Sequence, residues 1–442
     1  MSRLLIEHAD VLTLAGDTPL LRDASIAIEG PTIVGLGQPP EGFAPDERID
    51  GREQLAMPGL FNAHCHAAMT LERGWAEDLP FPRWLNERIW VAESALEEED
   101  VYWGAALAAC EMIRAGIVAF ADHYFWMDQV ARLVAESGMK ALLGWCFFGL
   151  GREREVGGID LDTVTGFVRR WHGQADGRIR AVLAPHSPYM CPPQVLRQLA
   201  EAAGELGVGI HLHLSESDEQ VATSRQRHGR SPVGHVASLG VLDVPTLAAH
   251  CIALDADDVQ LLADKRVSVA HTPKTYLKLA MGMTPVRALL DAGVNVALGT
   301  DGPASNADLN LLEVMRLVGL LQKAHSHDAA AMPIAEILGL GCRNGARALG
   351  FDRSGTIALG GAADLVLLDT RGSHWHPRHD LGASVVYGSH PSDVSHVLVD
   401  GRVLLRKGEL VTLDEQRIRF EAERRAMRMV GKPMSRVRSY GS

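Results

Sequence analysis

Basic residues are in short supply. Across 442 residues, 43 Lys and Arg face 55 Asp and Glu, a formal net charge of −12. Binding phosphate backbones needs a concentrated Lys/Arg surface, so nucleic acid is not expected as a partner. The basic exception is the C-terminal tail, with Arg424, Arg425, Arg428, Lys432, Arg436 and Arg438, which reads as a solvated helix with a frayed end. A targeting signal is also missing: MSRLLIEHADVLTL carries Glu7, His8 and Asp10 where a signal peptide would hold an unbroken apolar run. No run approaches the apolar length that spans a bilayer, so the expectation is a cytoplasmic protein with no membrane partner. The six cysteines (Cys65, Cys110, Cys146, Cys191, Cys251 and Cys342) show no paired spacing, which suits reduced thiols better than a disulfide framework. Internal repeats and low-complexity segments are absent. So is the H-x-E with P-C-x-x-C pairing of one known zinc-deaminase design.

What is present is the composition of a globular enzyme, 47% hydrophobic and 22% charged, with a change of rhythm along the chain. Residues 1–56 read as short β-strands: LLIEHADVLTL and ASIAIEGPTIVGLG cluster apolar residues between Gly, Pro and Asp breaks. The far end, 354–442, is similar, with AADLVLLDT, VVYG and VSHVLVDGRVLLRKGEL as β-branched runs and Asp400-Gly401 as a hairpin signal. The two ends are expected to join into one small β-sandwich domain. Between them, 57–353 alternates short apolar runs with helical stretches such as PPQVLRQLAEAAGELG and TPVRALLDAG, the pattern of a parallel sheet with crossover helices. Eight strand runs are legible: 60–66, 117–122, 141–148, 179–185, 208–214, 246–250, 267–271 and 294–300. Eight such units predict an α/β fold with a (β/α)8 TIM-type barrel.

In such a barrel the chemistry sits at the C-terminal ends of the strands. The runs end in His64-Cys65-His66, Asp122-His123, Pro185-His186-Ser187, His213-Leu214-Ser215-Glu216, His250, His271 and Asp301. A polar residue at one strand end means little, but seven of eight is hard to explain by packing. His64 and His66 are two apart and share a face of a strand. Neutral imidazole is the commonest metal ligand, and a third His with a carboxylate would leave an open position for water. HxH alone is a weak signal. Followed by HLHLSE and GTD at later strand ends, it is strong.

These stretches carry a resemblance. PGLFNAHCHAAM, GIHLHLSE, LAAHC and ALGTDGPASNADLNLLEVMR resemble the amidohydrolase superfamily. RGWAEDLPFPRWLNERIWVAE, APHSPYMCPP and GTIALGGAADLVLLD are similar to its methylthioadenosine/S-adenosylhomocysteine deaminase branch, beside the chlorohydrolase and cytosine deaminase group. The resemblance spans nearly the whole chain. It implies metal ligands at His64, His66, His213 and Asp301, a proton-shuttling Glu216 and a water-orienting His250. Asp301 would serve the proton transfers as well, and Glu93, His186 and Glu216 would contact substrate. The stretch RAVLAPHS lacks the lysine with which binuclear relatives bridge two metals, so one divalent metal per chain is implied. Zinc suits the set, and iron and manganese accept such ligands too. The partner would be a small heterocyclic substrate, and the chain a dimer or tetramer of itself.

The chemistry that the resemblance implies is hydrolytic deamination of an aminopurine nucleoside-type substrate. A metal lowers the pKa of its bound water from ~15.7 towards ~7, which makes hydroxide available at neutral pH. A second enzyme reading is attack on a non-nucleoside heterocycle, such as an s-triazine or a free nucleobase. A non-catalytic scaffold is the third, opposed by the complete ligand set. One departure from the branch bears on substrate: His-Asn-Pro with a Ser-Asn pair is usual where His271-Thr272-Pro273-Lys274-Thr275-Tyr276 stands here. Cys65 and Cys251 read as packing. Trp75, Phe81, Trp84 and Trp90 read equally as packing or as an aromatic wall. Arg152 and Arg154 fall in a Gly-bounded loop read as solvated, and neither His123 nor His271 is read as a ligand.

Overall fold

The computed structural model describes residues 2–16, 20–149 and 160–431. Eight parallel strands form the central sheet: Leu60–Cys65, Ile117–Tyr124, Lys140–Phe147, Ile179–Pro185, Ile210–Leu214, Thr246–His250, Ser268–His271 and Asn295–Leu298. They are buried along nearly their whole length, as a parallel sheet covered by helices requires. Each strand pairs with the next in sequence. The barrel closes between its last and first strands by side-chain and main-chain bonds. The Asp301 N–H donates to the His64 carbonyl at 2.9 Å. The Thr300 N–H donates to Asn62 Oδ1 at 2.9 Å, and Asn62 Nδ2 donates to Thr300 Oγ1 at 2.8 Å.

Both chain ends build a second, nine-stranded sheet. Its apolar residues alternate between two cores, as period-2 patterning demands. Leu365 and Leu367 join Ile6, Ile26, Ile28 and Ile33 in a core of the sheet's own, while Val366 and Leu368 face the barrel's core. At the Asp400-Gly401 hairpin both φ angles are positive, 47° and 75°, the geometry of the tight turn that Asp-Gly favours.

Two sequence expectations change. VVYG is helical, within Leu381–Gly388. The Asp380 side chain caps it by accepting the Ala383 N–H, and Leu381, Val385 and Val386 are buried among neighbouring helices, so tertiary packing overrides β-branched propensity. The basic tail is not simply solvated. In the helix Glu415–Gly431, Arg425 donates to Asp100 at 3.0 Å, and Arg428 also reaches Asp100, a carboxylate with 0% exposure. A buried carboxylate needs such partners, and these two arginines supply them. Lys432, Arg436 and Arg438, like Arg152 and Arg154, lie outside the described residues.

Candidate active site

The strand ends deliver the polar residues to one place. His64 ends up 0% exposed, with ring centroids 4.8 Å from His66, 5.0 Å from His213 and 5.3 Å from His250. His66 Nε2 lies 3.2 Å and His64 Nε2 3.6 Å from one oxygen of Asp301, and His66 and His213 face each other Nε2 to Nε2 at 3.3 Å. The far nitrogens are engaged elsewhere. Nδ1 of His66 donates to the His123 carbonyl at 2.6 Å, and Nδ1 of His213 donates to the His186 carbonyl at 2.8 Å. A proton fixed on Nδ1 leaves the Nε2 lone pair free and aimed inward. His64 Nδ1 sits 2.9 Å from His211 Nε2, and its buried Nε2 has no hydrogen-bond partner.

An orphaned nitrogen in so polar a centre is costly unless something accepts its lone pair. Electrostatics agrees. Burial, with the neighbouring rings adding to it, holds His64 well below its ordinary pKa and His213 at about 4, so both are neutral donors. Burial alone would raise the Asp301 carboxyl, but His64 and His66 outweigh it and keep it ionised. At His66 burial is outweighed by Asp301, which raises its pKa. His64, His66 and Asp301 form one group close enough to share an ion, and His64, His213 and His250 form a second that overlaps it, a donor set that fits a divalent metal such as zinc.

Around this centre stand the other residues singled out by sequence. His250 Nε2 is 4.0 Å from Glu216 Oε1, and its Nδ1 is 3.2 Å from Thr272 Oγ1. Ser215, His250, Cys251 and Asp301 all have left-handed backbones, with φ of 51°, 75°, 51° and 62°. Non-glycine residues adopt that region at a cost, and it recurs where side chains must be aimed. Glu93 and His186 line the same pocket as His66, His213, Glu216, His250 and Asp301. Most of the pocket's remaining wall is apolar, with Met69, Phe81, Trp84, Trp90, Phe148 and Met281 among its residues. Of the aromatic cluster, Trp75 alone is not in the wall; the Arg88 guanidinium lies over its ring. His123 stacks on His213 with centroids 4.8 Å apart, and His271 is fully buried beside Tyr276.

The altered 272–276 segment resolves into two roles. Tyr276 turns into the core, accepting the Thr272 N–H at 3.0 Å and donating to the His250 carbonyl at 3.3 Å. Thr275 reaches the pocket, hydrogen-bonded to Ser305 at 3.2 Å, and Ser305 donates to Asp301 Oδ2 at 3.0 Å. Sequence reasoning missed Tyr189, whose hydroxyl donates to Glu216 Oε1. Its place three residues after His186 in the same strand-end loop is the signal that could have found it. Tyr124 and Ser305 carried no such signal.

Comparison with known proteins agrees with this geometry. Residues 55–404 match the model of the amidohydrolase family. The 5-methylthioadenosine/S-adenosylhomocysteine deaminase of Pelotomaculum thermopropionicum is 44% identical over 435 residues, 98% of this chain and 100% of that protein. Among solved structures, an adenosine deaminase from Xanthomonas campestris with bound zinc is similar at a TM-score of 0.92 and 32% identity, covering 97% of this chain and 99% of that one. The atrazine chlorohydrolase of Arthrobacter aurescens in complex with zinc is similar at a TM-score of 0.87 and 26% identity, over 96% and 100% of the two chains. The chain therefore belongs to the amidohydrolase family, on the branch of the 5-methylthioadenosine/S-adenosylhomocysteine deaminases.

Proposed function

We propose that this chain is a mononuclear metal-dependent deaminase of an aminopurine nucleoside-type substrate, either methylthioadenosine, S-adenosylhomocysteine or an adenosine-like compound. The observation that carries the reading is the convergence of four metal-binding groups with Glu216 and His250 at the floor of an apolar pocket that also holds Glu93. His64, His66, His213 and Asp301 would hold the metal, with zinc favoured by the zinc-bound neighbours. Such an ion makes a water acidic enough to attack at neutral pH.

The protein's own groups divide the proton work. Glu216 gives a proton to the ring nitrogen beside the amino-bearing carbon, which makes that carbon electrophilic. The attacking water gives one proton to Glu216, which replaces the one it passed to the ring nitrogen, and the hydroxyl then on the carbon gives the other to Asp301, which delivers it to the amine. As the carbon–nitrogen bond breaks, ammonia leaves, and the two protons of the water end on the ring nitrogen and the ammonia. His250 orients the attacking water and stabilises the charge that develops on its oxygen. Tyr189 holds one oxygen of Glu216 in place. The apolar wall flanks a planar purine, while Glu93 accepts hydrogen bonds from ribose hydroxyls and His186 contacts the substrate.

An ammonia-release screen over adenosine, methylthioadenosine, S-adenosylhomocysteine, guanine, cytosine and aminotriazines tests the reading. The nucleosides are expected to turn over fastest. Charged hydrogen bonds contribute ~1.5–3 kcal/mol each, so Glu93→Ala should cut kcat/KM for a nucleoside by about 10²-fold and barely affect a free base or triazine. A small, equal effect on both would transfer the assignment to a non-nucleoside heterocycle.

A further inference from the structure

The barrel's other mouth, at the N-terminal ends of its strands, opens on a separate cavity of about 560 Å³. It gathers three arginines from distant parts of the chain. Arg180 is the second residue of the strand Ile179–Pro185, Arg266 stands two residues before the strand Ser268–His271, and Arg347 belongs to the helix Arg343–Ala348. Among the described residues lining the cavity, Asp352 is the only carboxylate. None of the three guanidinium groups forms a hydrogen bond or an ion pair with a described residue.

Arg180 is held in place without using its donors. Its guanidinium lies over the Phe351 ring, 5.1 Å from the centroid, and its buried Nε has no hydrogen-bond partner. A buried donor on a cation is costly unless an acceptor comes from outside the chain. Arg266 shows a cost of another kind. Four helix ends border the cavity, each followed by a left-handed residue: Gly207, Gly293, Gly350 and Arg266, with φ of 66°, 82°, 77° and 56°. Glycine adopts that conformation freely, whereas arginine adopts it under strain. The position that suits glycine carries a cation instead.

We propose that this cavity binds a small molecule bearing a phosphate group, with Arg180, Arg266 and Arg347 on the phosphate. Guanidinium groups offer paired N–H donors and fixed charge to phosphate oxygens. The cavity has the size of a small-ligand site rather than of a bare ion, and Leu142, Leu247 and Leu349 give the rest of the molecule an apolar wall. The chain as a whole carries a net charge of −12, so an anion reaches this mouth through the local arginines and not through general attraction. The site is independent of the catalytic pocket, which lies at the opposite strand ends.

Isothermal titration of phenyl phosphate into metal-loaded enzyme, at an ionic strength fixed with chloride, tests the proposal. One molecule per chain should bind with a Kd below about 1 mM, and inorganic phosphate should compete with it. Arg180→Gln and Arg347→Gln should each weaken binding about tenfold, the loss of one charged contact, with ammonia release in phosphate-free buffer unchanged. Arg266→Gly should weaken binding equally while raising the thermal midpoint of the ligand-free enzyme, because it relieves the backbone. That variant carries the test even where Arg180→Gln fails to fold. Absence of saturable binding, or unweakened binding in any folded variant of the three, would overturn the proposal, the latter placing the phosphate elsewhere, such as at the catalytic metal. So would tighter binding of citrate than of phenyl phosphate, a failure of inorganic phosphate to compete, or a lowered midpoint in Arg266→Gly, which would make that arginine a structural residue.

Discussion

Two buried polar clusters lie at opposite ends of the barrel, and they are built on opposite terms. At the N-terminal end, Lys140 begins the third strand with a side chain 5% exposed. It donates to Asp364 at 2.6 Å and Asp400 at 2.7 Å. Asp364 also accepts from Ser354 at 2.5 Å and from the Asp400 N–H at 2.8 Å. This cluster ties the barrel to the terminal sheet, and its charges are answered by charges of this chain. At the C-terminal end, His64 Nε2 has no hydrogen-bond partner, the backbone of Asp301 and His250 is strained, and His64 is crowded by His66 and Asp301 on one side and by His213 and His250 on the other. Burial is common to both, so burial does not mark a site. What separates structure from site is whether the chain satisfies its own buried groups.

The contrast can be broken or sharpened by experiment. The largest expected effect is from metal removal: chelation should abolish ammonia release while far-UV circular dichroism changes little, because the proposed ligands rim a core that is complete without them. Elemental analysis should return about one divalent ion per chain, and two would break the mononuclear reading. Next comes Glu216→Gln, which keeps the shape but cannot carry a proton; kcat should fall by about 10²–10⁴-fold with metal retained. Retention of more than about a tenth of wild-type kcat would remove Glu216 from its role.

At the other end, Lys140→Met leaves the buried Asp364, and the partly exposed Asp400 beside it, without the lysine. It should destabilise the fold by about 3–5 kcal/mol in denaturant titrations, yet leave kcat per folded molecule unchanged. Adding Asp364→Asn should recover part of that loss; strict additivity of the two would mean they are not coupled. The smallest effect is a pH slope. In the terminal sheet, burial and then the charges of Arg406 and Lys407 hold His396 down at about 4 against an ordinary 6.5. The folded state resists its protonation, so its contribution is fully present above pH 6.5 and is lost as pH falls towards about 4. The slope is at most about 1.4 kcal/mol per pH unit, and His396→Gln should flatten it in pH-dependent unfolding curves.

Much of this molecule is legible in its sequence, and the reasons are physical. The barrel strands are short, fully buried and punctuated by helices, so each reads within two or three residues of its observed limits. Strand-end residues such as His64, His213 and Asp301 announce themselves because a packed strand has no other use for them. The pairing Asp400-Gly401 reads as a turn because its backbone requirement is local. What does not read depends on chain folding between distant segments. VVYG becomes helical only because other helices wait to bury it, and Arg425 and Arg428 find Asp100 more than 300 residues away. Ser305 and Thr272 matter through what they touch, and nothing in their local spacing says what that is.

The seam where the barrel closes has a consequence for the order in which the protein matures. Asn62 and Thr300 lock the first strand to the last, and the residues beside them, His64 and Asp301, are two of the four proposed ligands. During synthesis the three imidazoles emerge early, but the carboxylate arrives only with the eighth strand, and it reaches them only when the ring is shut. A partly made or wrongly closed chain therefore has histidines but no tetrad. An ion that needs groups from both the first and the eighth strand would be held only by a closed barrel.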